Sequence, residues 1–236
     1  MFFQIVPGKS PFVLTVAHDG DQRLSGVAWR SQFLRWVEKS FEPRDLGARQ
    51  CAKGCRQRLE EKGRPPTLLM CELDRGQLDV NRDPDRAPFV PGDVRLEQTY
   101  LAFHAAVRTT IQETLEREGC CFLVDVHSFV ELPGVDLEIA LGTDEGRTCP
   151  VAWSSLLCGG FAPIRTGFSP DPLRGISRRA RGGYIIRHAA AQFARARSEE
   201  RFGALQIEFR RQSFFTDQPE AMGARLADIL TTLSLP

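Results

Sequence analysis

Residues 120–129 read CCFLVDVHSF, an apolar run that stops on Asp125, His127 and Ser128. A run of this length and character predicts a strand buried on both faces, as in a parallel sheet. Such a strand has no structural need of a carboxylate and an imidazole, because burying them costs free energy unless they are paired or used. In open α/β sheets the binding crevice lies beyond the carboxyl ends of the strands. The same short stretch therefore bears on both the fold and the site.

Upstream of this strand, Val94 to about Glu118 carries Tyr100, Phe103, Val107, Ile111 and Leu115 at helical spacing. Residues 74–93, DRGQLDVNRDPDRAPFVPGD, are polar and rich in Gly and Pro, which predicts a long loop. TLLMCEL (67–73) and PFVLTVAH (11–18) predict strands, the second ending near Ala17. Between them the pattern gives one helix over Val27–Phe41 and another over Asp45–Lys62, stopped by Gly63 and the RPP after it. Downstream, VDLEIALG (135–142) and ALQIEFRR (204–211) predict strands, and residues 159–183 an irregular stretch. PEAMGARLADILTTL (219–233) predicts a terminal amphipathic helix. Strands alternating with helices imply an α/β fold with a mostly parallel mixed sheet flanked by helices. No repeat or long linker divides the chain, so residues 1–236 are expected to form a single domain.

Apolar residues make up 42% of the chain, enough for a sizeable core. The 31 basic and 30 acidic residues nearly cancel, so no overall field steers the molecule to nucleic acid or anionic lipid. No apolar stretch approaches the roughly 20 residues that span a bilayer, and MFFQIVPGKS does not resemble a secretory signal. With seven cysteines, an odd number, the expectation is a cytoplasmic protein with reduced, packed thiols.

Four segments carry chemistry. AHDGD puts His18 and Asp21 three residues apart, within reach of one metal ion if the backbone turns there; an ordinary Asp-Gly turn would read the same way. His127 ends a strand and suits a third ligand. DVNR supplies Asn81 and the planar Arg82 guanidinium, which fits a carboxylate, although a plain polar turn is also compatible. In LQIEFRR the alternation of Leu205, Ile207 and Phe209 leaves Glu208 facing the other way, an acid in a covered strand. His104 and His188 are read as structural.

HxxD, DVNR, DVHSF and IEFR, in this order, resemble the zinc carboxypeptidase architecture. LDVNRDP, LVDVHSF, GGYIIR and ALQIEFRRQSFFTD are closer still to the N-formylglutamate amidohydrolase family, a branch of it, from about Val13 to Asp217. The resemblance implies a zinc carboxypeptidase-like (phosphorylase/hydrolase-like) fold and one Zn2+ held by His18, Asp21 and His127. Asp19 is the substitute for Asp21, which is Asp where the carboxypeptidase pattern has Glu. Asp79 and Asp125 would stand behind the ligands, Asp79 accepting from the His18 ring. Asn81 and Arg82 would hold the substrate carboxylate, with Tyr184 nearby, Glu208 would act as general base, and Arg75 would polarise the scissile carbonyl. The substrate implied is a small N-acyl amino acid with a free carboxylate, N-formylglutamate above all, cleaved at its amide. A carboxypeptidase or deacylase acting on a peptide or conjugate is the second reading. A non-catalytic relative that holds an anionic ligand with the arginines of 174–187 is the third.

Overall fold

The computed structural model describes residues 1–30, 44–130, 137–169, 181–211, 215 and 217–236. The first of the helices expected from sequence lies largely outside them. Strands β1 (Phe3–Val6), β2 (Phe12–Val16), β3 (Thr67–Cys71), β4 (Cys121–Phe129), β5 (Ile139–Gly142), β6 (Thr166–Ser169) and β7 (Phe202–Arg210) form one sheet in the order β1-β3-β2-β4-β7-β5-β6. The centre, β3-β2-β4-β7, is parallel; β1 pairs antiparallel with β3, and β5 with β7. The sheet is thus mixed with a parallel core.

Its helices are α1 (Ala48–Glu61), α2 (Val94–Glu118), α3 (Val151–Gly160), α4 (Tyr184–Gln192), α5 (Ala194–Ser198) and α6 (Pro219–Thr231). Every residue of β2, β3 and β4 is buried, as a strand covered on both faces requires. One face packs Val124, Val126, Leu205 and Ile207 against α1, α3 and α6; the other packs Leu123, Phe202 and Ala204 against α2 and α4. The crossing of α1 and α6 is close: a Cβ on Gly223 would lie 1.9 Å from the Cys51 carbonyl oxygen. Cys51 and Cys55 are buried in that contact, and all seven cysteines are free thiols.

The ends of α2 follow from sequence. Asp93 accepts from the N–H groups of Arg95 and Leu96, and Gly119, at φ 79°, stops the helix in the left-handed conformation. Helices α3, α4 and α5 and strands β1 and β6 were not evident in the hydrophobic pattern. β1 and β6 are the two edge strands, four residues each, and α5 has five, too short for a periodic signal. Among the described residues no helix is long and apolar enough to cross a membrane.

Candidate active site

His18 follows β2, Asp79 and Asn81 lie in the loop after β3, His127 ends β4, and Glu208 ends β7. All of them sit at the carboxyl ends of adjacent parallel strands. Register fixes the arrangement: Asp125 pairs with Gln206 and His127 with Glu208, so these four side chains share one face across β4 and β7.

The His18 and His127 rings meet edge to face, with centroids 4.9 Å apart. Each imidazole turns its Nε2 to a carboxylate: His18 to Asp79 Oδ1 at 2.7 Å, His127 to Asp125 Oδ2 at 2.7 Å. Thr15 Oγ donates to the other Asp125 oxygen at 2.7 Å and fixes that carboxylate. With Nε2–H donated outward, Nδ1 of each ring, when the imidazole is neutral, offers its lone pair to a metal ion. Both Nδ1 atoms face Asp45 Oδ2, at 3.4 Å from His18 and 2.5 Å from His127. Three acceptors therefore converge, and His18 Nδ1 is buried without a hydrogen-bond donor. His18, Asp45 and His127 form the group whose ligand atoms can meet at one metal ion. Two neutral imidazoles and a carboxylate are a donor set suited to zinc, and equally to iron, manganese or cobalt.

The electrostatics fit a cation centre. Burial works against the charge of Asp45, but the His127 and His18 rings beside it hold its carboxyl well below the usual range. Burial likewise lowers the pKa of His127, yet Asp125 and Asp45 outweigh it and raise it well above the usual imidazole value. Asp79 is held low despite burial by His18 and by Arg75 and Arg30. Burial pushes the partly buried Glu208 carboxyl up, aided by the charge of Asp45 and opposed by His127.

The structure departs from the sequence reading at the carboxylate. Asp21 is exposed and is not part of the group, and Asp45 occupies its place. The reason is local. Instead of turning after His18, the chain runs extended alongside the end of β3, with bridges Gly20–Asp74 and Gln22–Leu73. Side chains alternate along extended backbone, so residues three apart point to opposite sides. Gly20 serves this close approach: a Cβ there would lie 2.4 Å from the Glu72 carbonyl carbon. Asp19 is buried but engaged elsewhere, capping α1 through the Arg49 N–H at 2.9 Å and pairing with Arg44. Asp45 is brought in by its N–H bond to the His18 carbonyl at 3.0 Å. Ser128 Oγ, which donates to the Leu46 carbonyl and accepts from Arg211, holds the same segment.

Asn81 makes contacts within the protein. Its Oδ1 accepts from the Ile185 N–H at 2.9 Å, and its Nδ2 contacts Asp125 at 3.2 Å and His127 at 3.1 Å. They orient the amide that the resemblance assigns to the substrate carboxylate. Arg82 Nε lies 3.1 Å from Asp79, and Arg75 lies 3.5 Å from Asp79 and 3.6 Å from Asp45. Buried Arg30 adds a third guanidinium at Asp79. Tyr184 opens α4, its ring stacked on His188 and its hydroxyl 3.2 Å from His188 Nδ1. Of the arginine-rich segment, Arg174, Arg178 and Arg179 lie outside the described residues; Arg181 pairs with Asp144.

Asp45, Arg30 and Gln206 were missed from sequence. Asp45 lies 27 positions beyond His18 and gave no motif; its one signal was an acid just ahead of a helix start.

Residues 92–215, more than half of the chain, match the family model described as N-formylglutamate amidohydrolase. The chain belongs to that family. The matched span carries His127 and Glu208, whereas His18, Asp45 and Asp79 precede it. Among solved structures, an N-formylglutamate amidohydrolase from Ralstonia eutropha JMP134 aligns with a TM-score of 0.69 at 18% identity, covering 98% of this chain and 97% of that one. A gene product from Agrobacterium tumefaciens aligns with a TM-score of 0.63 at 17% identity, covering 98% of this chain and 95% of that one. At these identities the likeness is one of fold. No curated protein matches the chain. Family membership makes the protein an amidohydrolase, a hydrolase of an amide bond.

Proposed function

We propose that the protein removes the acyl group, formyl first among the candidates, from an N-acyl amino acid that keeps its carboxylate free, with N-formyl-L-glutamate the leading substrate. His18 Nδ1, His127 Nδ1 and Asp45 would hold one divalent metal, zinc being the first choice. The observation that carries this reading is the convergence of two imidazole lone pairs and a carboxylate beside the partly buried Glu208. When bound, the metal supplies Lewis-acid polarisation of the acyl oxygen and lowers the pKa of water to roughly 7.

The chain's own groups do the rest. Glu208 takes a proton from the attacking water and passes it to the leaving nitrogen, so the C–N bond breaks to give the free acid and the amine. Burial raises the pKa of Glu208 and thereby makes it a better base near neutral pH. Arg75, close to Asp45 and coupled to Glu208, stabilises negative charge that develops on the acyl oxygen. Arg82 receives the substrate carboxylate, converting binding energy remote from the amide into orientation.

The test is formate release from N-formyl-L-glutamate by the purified, metal-loaded protein, beside N-acetylglutamate and dipeptides. Glu208→Gln should keep its metal and lose on the order of 10²–10⁴ in kcat. Turnover by that variant at the wild-type rate would remove Glu208 from the mechanism. Cleavage of dipeptides in preference to formyl substrates would overturn the acyl-group assignment.

A further inference from the structure

We infer that Gln206 is a positioning residue that orients the Glu208 carboxylate, and that it is itself oriented by the Gly183 N–H at the start of α4. The inference rests on the reading of Glu208 as general base. Gln206 is buried and lies two residues before Glu208 on β7, so both side chains project from one face. Its Oε1 accepts the Gly183 N–H at 2.5 Å, and its Nε2 donates to Glu208 Oε1 at 2.5 Å.

The two contacts determine each other. An amide has one acceptor end and one donor end. A backbone N–H can only donate, so it draws Oε1 to Gly183, and the NH2 end is left facing Glu208. Helix N-termini present N–H groups with no intrahelical partner, and here they impose polarity on a side chain.

Asn81, in the loop after β3, repeats the device: its Oδ1 takes the Ile185 N–H and its Nδ2 faces Asp125 and His127. Two amides thus read the start of α4, one directed at the base and one at the Asp125 carboxylate behind the His127 ring. Gly183 is the point of closest approach, where a Cβ would fall 2.0 Å from Asn81 Nδ2. In this arrangement Glu208 keeps one oxygen on Gln206 and leaves the other for the water proton.

The experiment compares Gln206→Glu with Gln206→Met, each measured for kcat, KM, metal content and melting temperature, kcat being referred to folded, metal-loaded protein. A residue that merely caps α4 tolerates Gln206→Glu, since a carboxylate accepts the Gly183 N–H as well as an amide does. A positioning residue does not, because the substitution sets two carboxylates against each other. The expected result is a tenfold or greater loss of kcat in both variants, with KM and metal content within about twofold of wild type. On a Glu208→Gln background, Gln206→Met should bring no further loss. Crystal structures should show the Glu208 carboxylate rotated away in both variants, with the metal ligands in place.

Wild-type kcat in Gln206→Glu, or an unmoved Glu208 carboxylate in both crystal structures, overturns the inference and leaves the base assignment standing. Full activity in Glu208→Gln overturns that assignment and the inference with it.

Discussion

Asp45 and Asp21 are both aspartates near His18, and only their surroundings separate them. Asp45 is buried between two imidazoles, whereas Asp21 is exposed on a strand-like extension. Asp45→Asn should therefore abolish stoichiometric metal on purification, while Asp21→Asn should leave metal content and kcat unchanged, the metal read by elemental analysis and kcat by formate release. The carboxylates behind the rings act more indirectly. Asp79 and Asp125 hold the Nε2–H tautomer that frees Nδ1, and replacing either with Asn should weaken metal binding by about 10–100-fold. Titration with a chelating indicator measures this, and unchanged affinity in both variants would show that the rings do not depend on these partners.

At the scale of the element, α4 joins the site to the aromatic cluster on α2. Its first turn is read by Asn81 and Gln206, and its outer face carries Tyr184 and His188 against His104 and Tyr100. Gly183→Ala would push Asn81 off Asp125 and His127, because a Cβ falls on its amide and three contacts hold that amide in place. The expected outcome is at least a tenfold loss of activity with a modest drop in melting temperature. His104 gives this contact a pH dependence: burial, then the neighbouring His188, lowers its pKa to about 4. An unfolded histidine titrates near 6.5, so between about 4 and 6.5 the unfolded chain binds more protons than the folded one. Stability is then fully present above about 6.5 and falls as the pH drops through this window, by at most about 3.5 kcal/mol at about 1.4 kcal/mol per pKa unit. Thermal melts at pH 7.5 and pH 5 should differ less for His104→Phe than for wild type.

Across the whole molecule, the proposed ligands come from three separate segments: the end of β2, the approach to α1 and the end of β4. Metal that binds only the folded chain stabilises it by about 2.7 kcal/mol at a hundredfold excess over Kd. For a chain of this size that is about 5–10 °C in melting temperature, lost on chelation and restored by zinc. A melting curve indifferent to chelator and to added metal would speak against the centre. The four strands of the parallel core were legible as strands because each reads as a short apolar run between polar breaks, whereas their order was not. The β5–β7 antiparallel pairing was not, since strand direction follows from the path of the connection rather than from side-chain pattern. His127 and Glu208 were legible as polar residues in a strand that has no structural need of them.

The sequence by itself determined where the long buried strands lie, and that their carboxyl ends carry two imidazoles and an acid. These are local matters of hydrophobic period and of the cost of burying charge. Only the tertiary structure decided which carboxylate joins the imidazoles, because backbone direction after His18, turned or extended, is set by pairing with β3 and not by the residues themselves. It also placed the Asn81 and Gln206 amides between the start of α4 and the carboxylates of Asp125 and Glu208. An amide has no fixed role until the groups at its two ends are in place.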